Sequence, residues 1–173
     1  MKKIALAGAT IALAMAASSA YAANSLDAGT IGLTVPVISG TAVTNNNAAN
    51  PLIAGKYMVG RDLAVLGGFG FVSGGPSGAS VTTFTLMGGV RKYMKVDDFA
   101  PFAGAFLQYE STSSNPGSSA MTIAAEAGAE YFLAKQFSVE GKVNFGYVSK
   151  DISGAKSTYF GTGTATAGLN FYF

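Results

Sequence analysis

From Phe137 to Tyr147 the chain alternates in character, with Phe137, Val139, Val143, Phe145 and Tyr147 on one side and Ser138, Glu140, Lys142 and Asn144 on the other. A period of two belongs to a pleated strand, whose successive side chains leave on opposite faces. Elsewhere Leu169, Phe171 and Phe173 alternate with Gly168, Asn170 and Tyr172, and Ile31, Leu33, Val35 and Val37 alternate with Thr30, Gly32 and Thr34. Beyond the first 22 residues no stretch keeps a 3.6-residue apolar stripe, and none is long and apolar enough for a membrane helix. The chain therefore reads as all-β.

Turn signals divide it into eight strands, at 28–38, 50–59, 63–72, 81–94, 99–110, 119–133, 137–149 and 158–173. Three connections are short, at 60–62, 95–98 and 134–136; four are longer and rich in Asn, Ser, Gly and Pro, at 39–49, 73–80, 111–118 and 150–157. Alternating short turns and longer polar loops fit an up-and-down barrel with both ends of the chain on the short-turn side. A hairpin repeat supports this: Lys56-Tyr57-Met58-Val59, Arg91-Lys92-Tyr93-Met94 and Glu130-Tyr131-Phe132-Leu133 each precede a short turn. No helix-forming pattern lies between the copies, so a meander of hairpins is simpler than a solenoid.

The opening residues read as an export signal. Lys2 and Lys3 precede an apolar run, and Ala20-Tyr21-Ala22 is a cleavage pattern. Residues 1–22 are expected to be removed after Ala22, leaving a single domain over 23–173. Two of the eleven basic residues leave with the signal, so nine basic face nine acidic. That balance, without a Lys/Arg cluster, gives no footprint for nucleic acid. With no Cys and no His, disulfide scaffolds, Cys/His metal centres and His-based triads are excluded.

A soluble barrel would turn its polar face outward, but the polar face here carries few charges and much Gly, Ala and Thr. The apolar face carries the large side chains. Tyr57, Phe99, Tyr131, Phe137, Phe171 and Phe173 form an expected lower aromatic girdle, and Phe71, Phe84, Tyr109, Tyr147 and Tyr159 an upper one. Two girdles flanking an apolar band mark a membrane barrel, which must close because open sheet edges go unsatisfied in lipid. Pro36, inside the first strand, calls for a bulge or an early end to that strand.

The chain resembles the small eight-stranded outer-membrane β-barrels of Gram-negative bacteria: OmpX, the transmembrane domain of OmpA and, more loosely, OmpW. Its most specific resemblance is Thr166, Gly168, Phe171 and Phe173, spaced like the C-terminal signal read by the barrel-assembly machinery, with the terminal aromatic as its key residue. The resemblance implies an outer-membrane monomer in contact with lipid and lipopolysaccharide, assembled with that machinery and periplasmic chaperones.

Parity points Lys56, Arg91, Glu126, Glu130, Glu140 and Lys142 into the lumen, three basic and three acidic. If Leu133 pairs with Phe137, Glu130 faces Glu140, and two carboxylates so close require cations between them. An internal ion-pair cluster is therefore expected. Inward glycines, among them Gly32, Gly89, Gly104, Gly128 and Gly146, either leave water-filled space or let tightly curved strands approach. Three functions stay open: a structural barrel with a narrow passive passage gated by the cluster, a recognition barrel acting through outer loops such as Asn45-Asn46-Asn47, and a lipid-modifying enzyme. No nucleophile–base pair accompanies the carboxylates, so no catalytic, cofactor or metal residue is assigned and the non-enzymatic reading leads.

Overall fold

The computed structural model of the protein describes residues 24–38, 52–75, 80–163 and 165–173. The expected export signal and the expected 39–49 loop with its asparagine run lie outside them. Nine strands succeed one another: β1 (Ile31–Ile38), β2 (Leu52–Met58), β3 (Leu63–Gly74), β4 (Val81–Tyr93), β5 (Phe99–Ser113), β6 (Ser118–Ala134), β7 (Phe137–Ile152), β8 (Ala155–Thr162) and β9 (Thr166–Tyr172). Each of β1 to β7 pairs antiparallel with the next, and both β8 and β9 pair with β7. β9 also pairs with β1, which closes the sheet. Since β8 and β9 are halves of one crossing, the molecule is an eight-stranded antiparallel barrel.

The split is a bulge. Phe145 opposes Thr162 above it and Lys142 opposes Thr166 below it, so two residues of β7 face three of the last crossing. One extra residue reverses the inside–outside parity of everything beyond it. Tyr159 therefore stands opposite the buried Val148 on the inner face, and Phe160 takes the outward place opposite Tyr147. The expected upper girdle is corrected accordingly: Phe160, with its ring 4.6 Å from that of Phe145, replaces Tyr159. A second slip, between Pro36 and Ile38 in the pairing with β9, accommodates Pro36; β1 pairs with β2 only over Ile31–Thr34. Pro36 thus sits where the ladder is already interrupted.

Two loops expected to be long are short. β7 runs to Ile152 and β8 starts at Ala155, so the 150–157 segment is a two-residue hairpin turn. Ser153 and Gly154 have φ of 52° and 89°, the paired positive angles whose twist matches that of the flanking strands. The Asp151 carboxylate accepts the Gly154 N–H at 2.8 Å and stiffens it. Likewise β5 and β6 extend until only 114–117 remain between them. Ser- and Thr-rich ends read as loops in sequence, but their backbones pair.

The outer face is apolar across the middle of β3 to β7, with Val65, Phe69, Leu86, Val90, Leu107, Ile123, Val143 and Phe145 all exposed. Between Tyr131, in the lower girdle, and Met121, which pairs with Tyr109 in the upper one, the strand advances about 33 Å. At a tilt of about 40° that is about 25 Å along the barrel axis, the height of a hydrocarbon band. The molecule is inside-out: charge within, bulk apolar surface without.

Candidate functional site

The charged and polar layer of the closed lumen is built by inward positions of five strands. β2 contributes Lys56, β4 Arg91 and Tyr93, β6 Glu126 and Glu130, β7 Ser138, Glu140 and Lys142, and β9 Asn170 and Tyr172. Glu130 stands directly opposite Glu140. At the turn itself Ala134, not Leu133, faces Phe137, and a slip at Leu133 absorbs the difference. Lys56, Arg91, Glu126, Glu130 and Glu140 are buried, all 3% exposed or less. The side chain of Lys142, 21% exposed, is the one cation of the six that meets solvent.

Burying a carboxylate is costly unless it is fully paired, and these are. Glu130 accepts from five donors: on Oε2, Lys56 Nζ at 3.0 Å and the Tyr93 hydroxyl at 2.8 Å; on Oε1, Asn170 Nδ2 at 3.0 Å and the hydroxyls of Ser138 and Tyr172. Glu140 is shared by three cations: Arg91 Nη1 at 2.6 Å, Lys56 Nζ at 3.2 Å and Lys142 Nζ at 3.7 Å. Glu126 takes Arg91 Nε at 2.7 Å on one oxygen and Lys142 Nζ at 2.9 Å on the other. The Arg91 guanidinium lies 3.7 Å from the Phe102 ring centroid, which covers its planar face. Three positive and three negative groups thus form one neutral layer across the lumen. At the short-turn end, Lys92 and Lys95 donate to Asp62 and Asp97 and hold those carboxyls below their usual range.

Two features of the interior escape a reading of the charged residues alone. Tyr93, Ser138, Asn170 and Tyr172 complete the Glu130 shell; their signal was parity and equal height above the turns. Beneath the layer, Leu26 is wholly buried among Met58, Ala64, Tyr93, Phe102, Phe132 and Tyr172, sealing the short-turn end with apolar side chains. The glycines serve close approach. A Cβ at Gly128 would lie 2.2 Å from the Gly141 carbonyl oxygen and one at Gly104 2.5 Å from that of Val90. Such contacts follow from the curvature of a narrow barrel, which drives inward atoms together.

Of the assembly-signal residues, Thr166 and Gly168 turn inward, while Phe171 turns outward against Phe137 at 5.2 Å between ring centroids. Phe173 is 77% exposed, its N–H held by the Ile31 carbonyl. Tyr57, Phe71, Phe84, Phe99, Tyr109, Tyr131 and Tyr147 all present exposed rings. Among the described residues no group of His, Cys, Asp and Glu is arranged to hold a metal.

No family model and no curated protein matches the chain. Solved structures do. The N-terminal β-barrel domain of OprF from Pseudomonas aeruginosa aligns with a TM-score of 0.55 at 13% identity, over 84% of this chain and 98% of that one. The fold is that of a small outer-membrane β-barrel. The outer membrane protein OprG of the same organism shares this barrel, with a TM-score of 0.51 at 14% identity over 88% of this chain and 99% of that one. Ail, the attachment invasion locus protein of Yersinia pestis, also matches, with a TM-score of 0.38 at 16% identity over 83% and 95%. The eight-stranded barrel read from the alternation is shown by the closed sheet and by its likeness to the OprF domain and OprG.

Proposed function

We propose that the protein is a non-enzymatic outer-membrane barrel that provides a narrow passive passage for ions or very small solutes, constricted by its ion-pair layer. The observation that carries this reading is that the lumen is filled at mid-height by charges rather than hydrocarbon. Apolar side chains of similar volume would plug a barrel at least as stably, since desolvation offsets much of what a buried ion pair gains. An ionic plug differs in that its members can exchange partners. Glu140 already shares Lys56, Arg91 and Lys142, so one cation can leave it without stranding its charge.

The saturated carboxylates favour this reading over catalysis, because Glu130 is wholly buried and both its oxygens are already taken by donors. The short 114–117 and 153–154 turns offer little surface for recognition. The export signal expected from the sequence, the apolar band and the likeness to the β-barrel domain of OprF and to OprG, named as an outer membrane protein, support a Gram-negative outer membrane as its location. In that setting lipid and lipopolysaccharide would surround it, and Phe173, exposed at the end of β9, is placed for the assembly machinery.

The test is single-channel conductance of refolded protein in a planar bilayer, alongside Arg91→Ala and Glu130→Gln. Small, reproducible steps that change size or ion preference in the variants are expected. Silence in all three, from protein shown to be folded by heat-modifiable gel migration, would overturn the passage.

A further inference from the structure

The segment before β1 does not hang free, as chain-end segments commonly do. Leu26 is wholly buried, and its neighbours Met58, Tyr93, Phe102, Phe132 and Tyr172 all lie near the short-turn ends of their strands. The backbone around it is tied on both flanks of β1. Gly29 N–H donates to the Met58 carbonyl at 2.7 Å and Met58 N–H to that of Thr30 at 2.9 Å. On the other flank the Ser25 hydroxyl donates to the Lys135 carbonyl in the β6–β7 turn. Asp27 adds a loose, exposed pair with Arg61 at 3.6 Å.

We infer that residues 24–30 form a stopper whose apolar tip, Leu26, shuts the short-turn mouth of the lumen, and that its undocking sets how often the passage opens. The inference rests on the passage reading and assigns the two layers different work. An ionic layer can pass a charge along by exchanging partners. An apolar constriction has no partners to offer and excludes ions by excluding water. The ionic layer therefore governs the size and ion preference of each step, and the stopper governs the fraction of time spent open. Because Leu26 precedes the first strand, it can withdraw without breaking any strand pairing of the barrel wall, at the loss of the two hydrogen bonds to Met58 and that of Ser25 to Lys135.

The experiment compares wild type, Leu26→Ser, Leu26→Met, Arg91→Ala and the Leu26→Ser/Arg91→Ala double variant in the same bilayer. Amide exchange of Gly29 in detergent micelles supplies a second readout that needs no conductance. Removing a buried leucine side chain should shift the docked-to-undocked ratio about 30-fold, the low end of such truncations. Leu26→Ser is thus expected to raise the open fraction by about that factor with the unit step unchanged, and to speed Gly29 exchange similarly. Leu26→Met should stay near wild type. An open fraction and Gly29 exchange in Leu26→Ser equal to wild type, while Arg91→Ala alters the step, would overturn the stopper and leave the passage standing. Silence of every variant, the double one included, in folded protein would remove the passage and the stopper's gating role together.

Discussion

Replacing Glu130 by Gln keeps the shape of the side chain and removes one charge from the neutral layer. Five donors converge on Glu130, and an amide cannot serve them all, because its nitrogen would point hydrogens at hydrogens. Of its two carboxylate contacts Lys56 would keep only the 3.2 Å one with Glu140, leaving the layer one positive charge in excess and largely out of reach of water. Breaking a buried pair by removing one partner costs about 3–5 kcal/mol. With a urea slope of about 2 kcal/mol per molar, the unfolding midpoint should fall by roughly 1.5–2.5 M. The assay is urea unfolding of protein folded in lipid vesicles, followed by tyrosine fluorescence and gel migration. Combining Glu130→Gln with Lys56→Met restores neutrality and should recover part of the loss, a coupling that a double-mutant cycle isolates. A midpoint shift below about 0.3 M for the single variant, or a double variant no better than the sum of both singles, would refute the account of the layer as one coupled unit.

Other substitutions test the geometry around it. Gly128→Ala places a methyl against the Gly141 carbonyl and is expected to lower refolding yield sharply, whereas Gly141→Ala, which faces open space, should refold normally. Since the chain has no Trp, Phe160→Trp and Tyr159→Trp give clean reporters of the bulge: quenchers attached to lipid tails should dim the first strongly and the second little. Equal quenching would restore the unbroken eighth strand. Phe173→Ala removes an exposed ring and should refold in detergent like wild type while assembling poorly in cells, as read from the heat-modifiable fraction in membranes.

How much of this was legible in the sequence depends on the end of the barrel. The lower half obeys the alternation from just above the short turns, the slip at Leu133 lying at the turn itself, so Glu130 and Glu140 could be set opposite each other by counting. The upper half departs from it. Once a single extra residue enters near 163–165, parity no longer says that Phe160, not Tyr159, faces out. Ser153-Gly154 supplies a tight turn where the eight residues of 150–157 look like a loop. Both are local backbone events, and alternation of side-chain character does not register them. Leu26 was hidden for another reason: one apolar residue ahead of the first strand has no period, and only the closed barrel shows what it fills. The charges were visible as a set, but the hydroxyl and amide shell around Glu130 becomes evident only when Tyr93, Ser138, Asn170 and Tyr172 arrive around it from three strands.

The central claim is a barrel that crosses the outer membrane with its short turns inside. It is tested most directly by thiol labelling of single-cysteine variants on intact cells, a clean measurement in a chain without native cysteine. Asn115→Cys, between β5 and β6, should react with a membrane-impermeant reagent at once, and Lys135→Cys, between β6 and β7, only after the outer membrane is opened. Immediate labelling of Lys135→Cys, or protection of Asn115→Cys, would contradict the barrel's placement in the membrane.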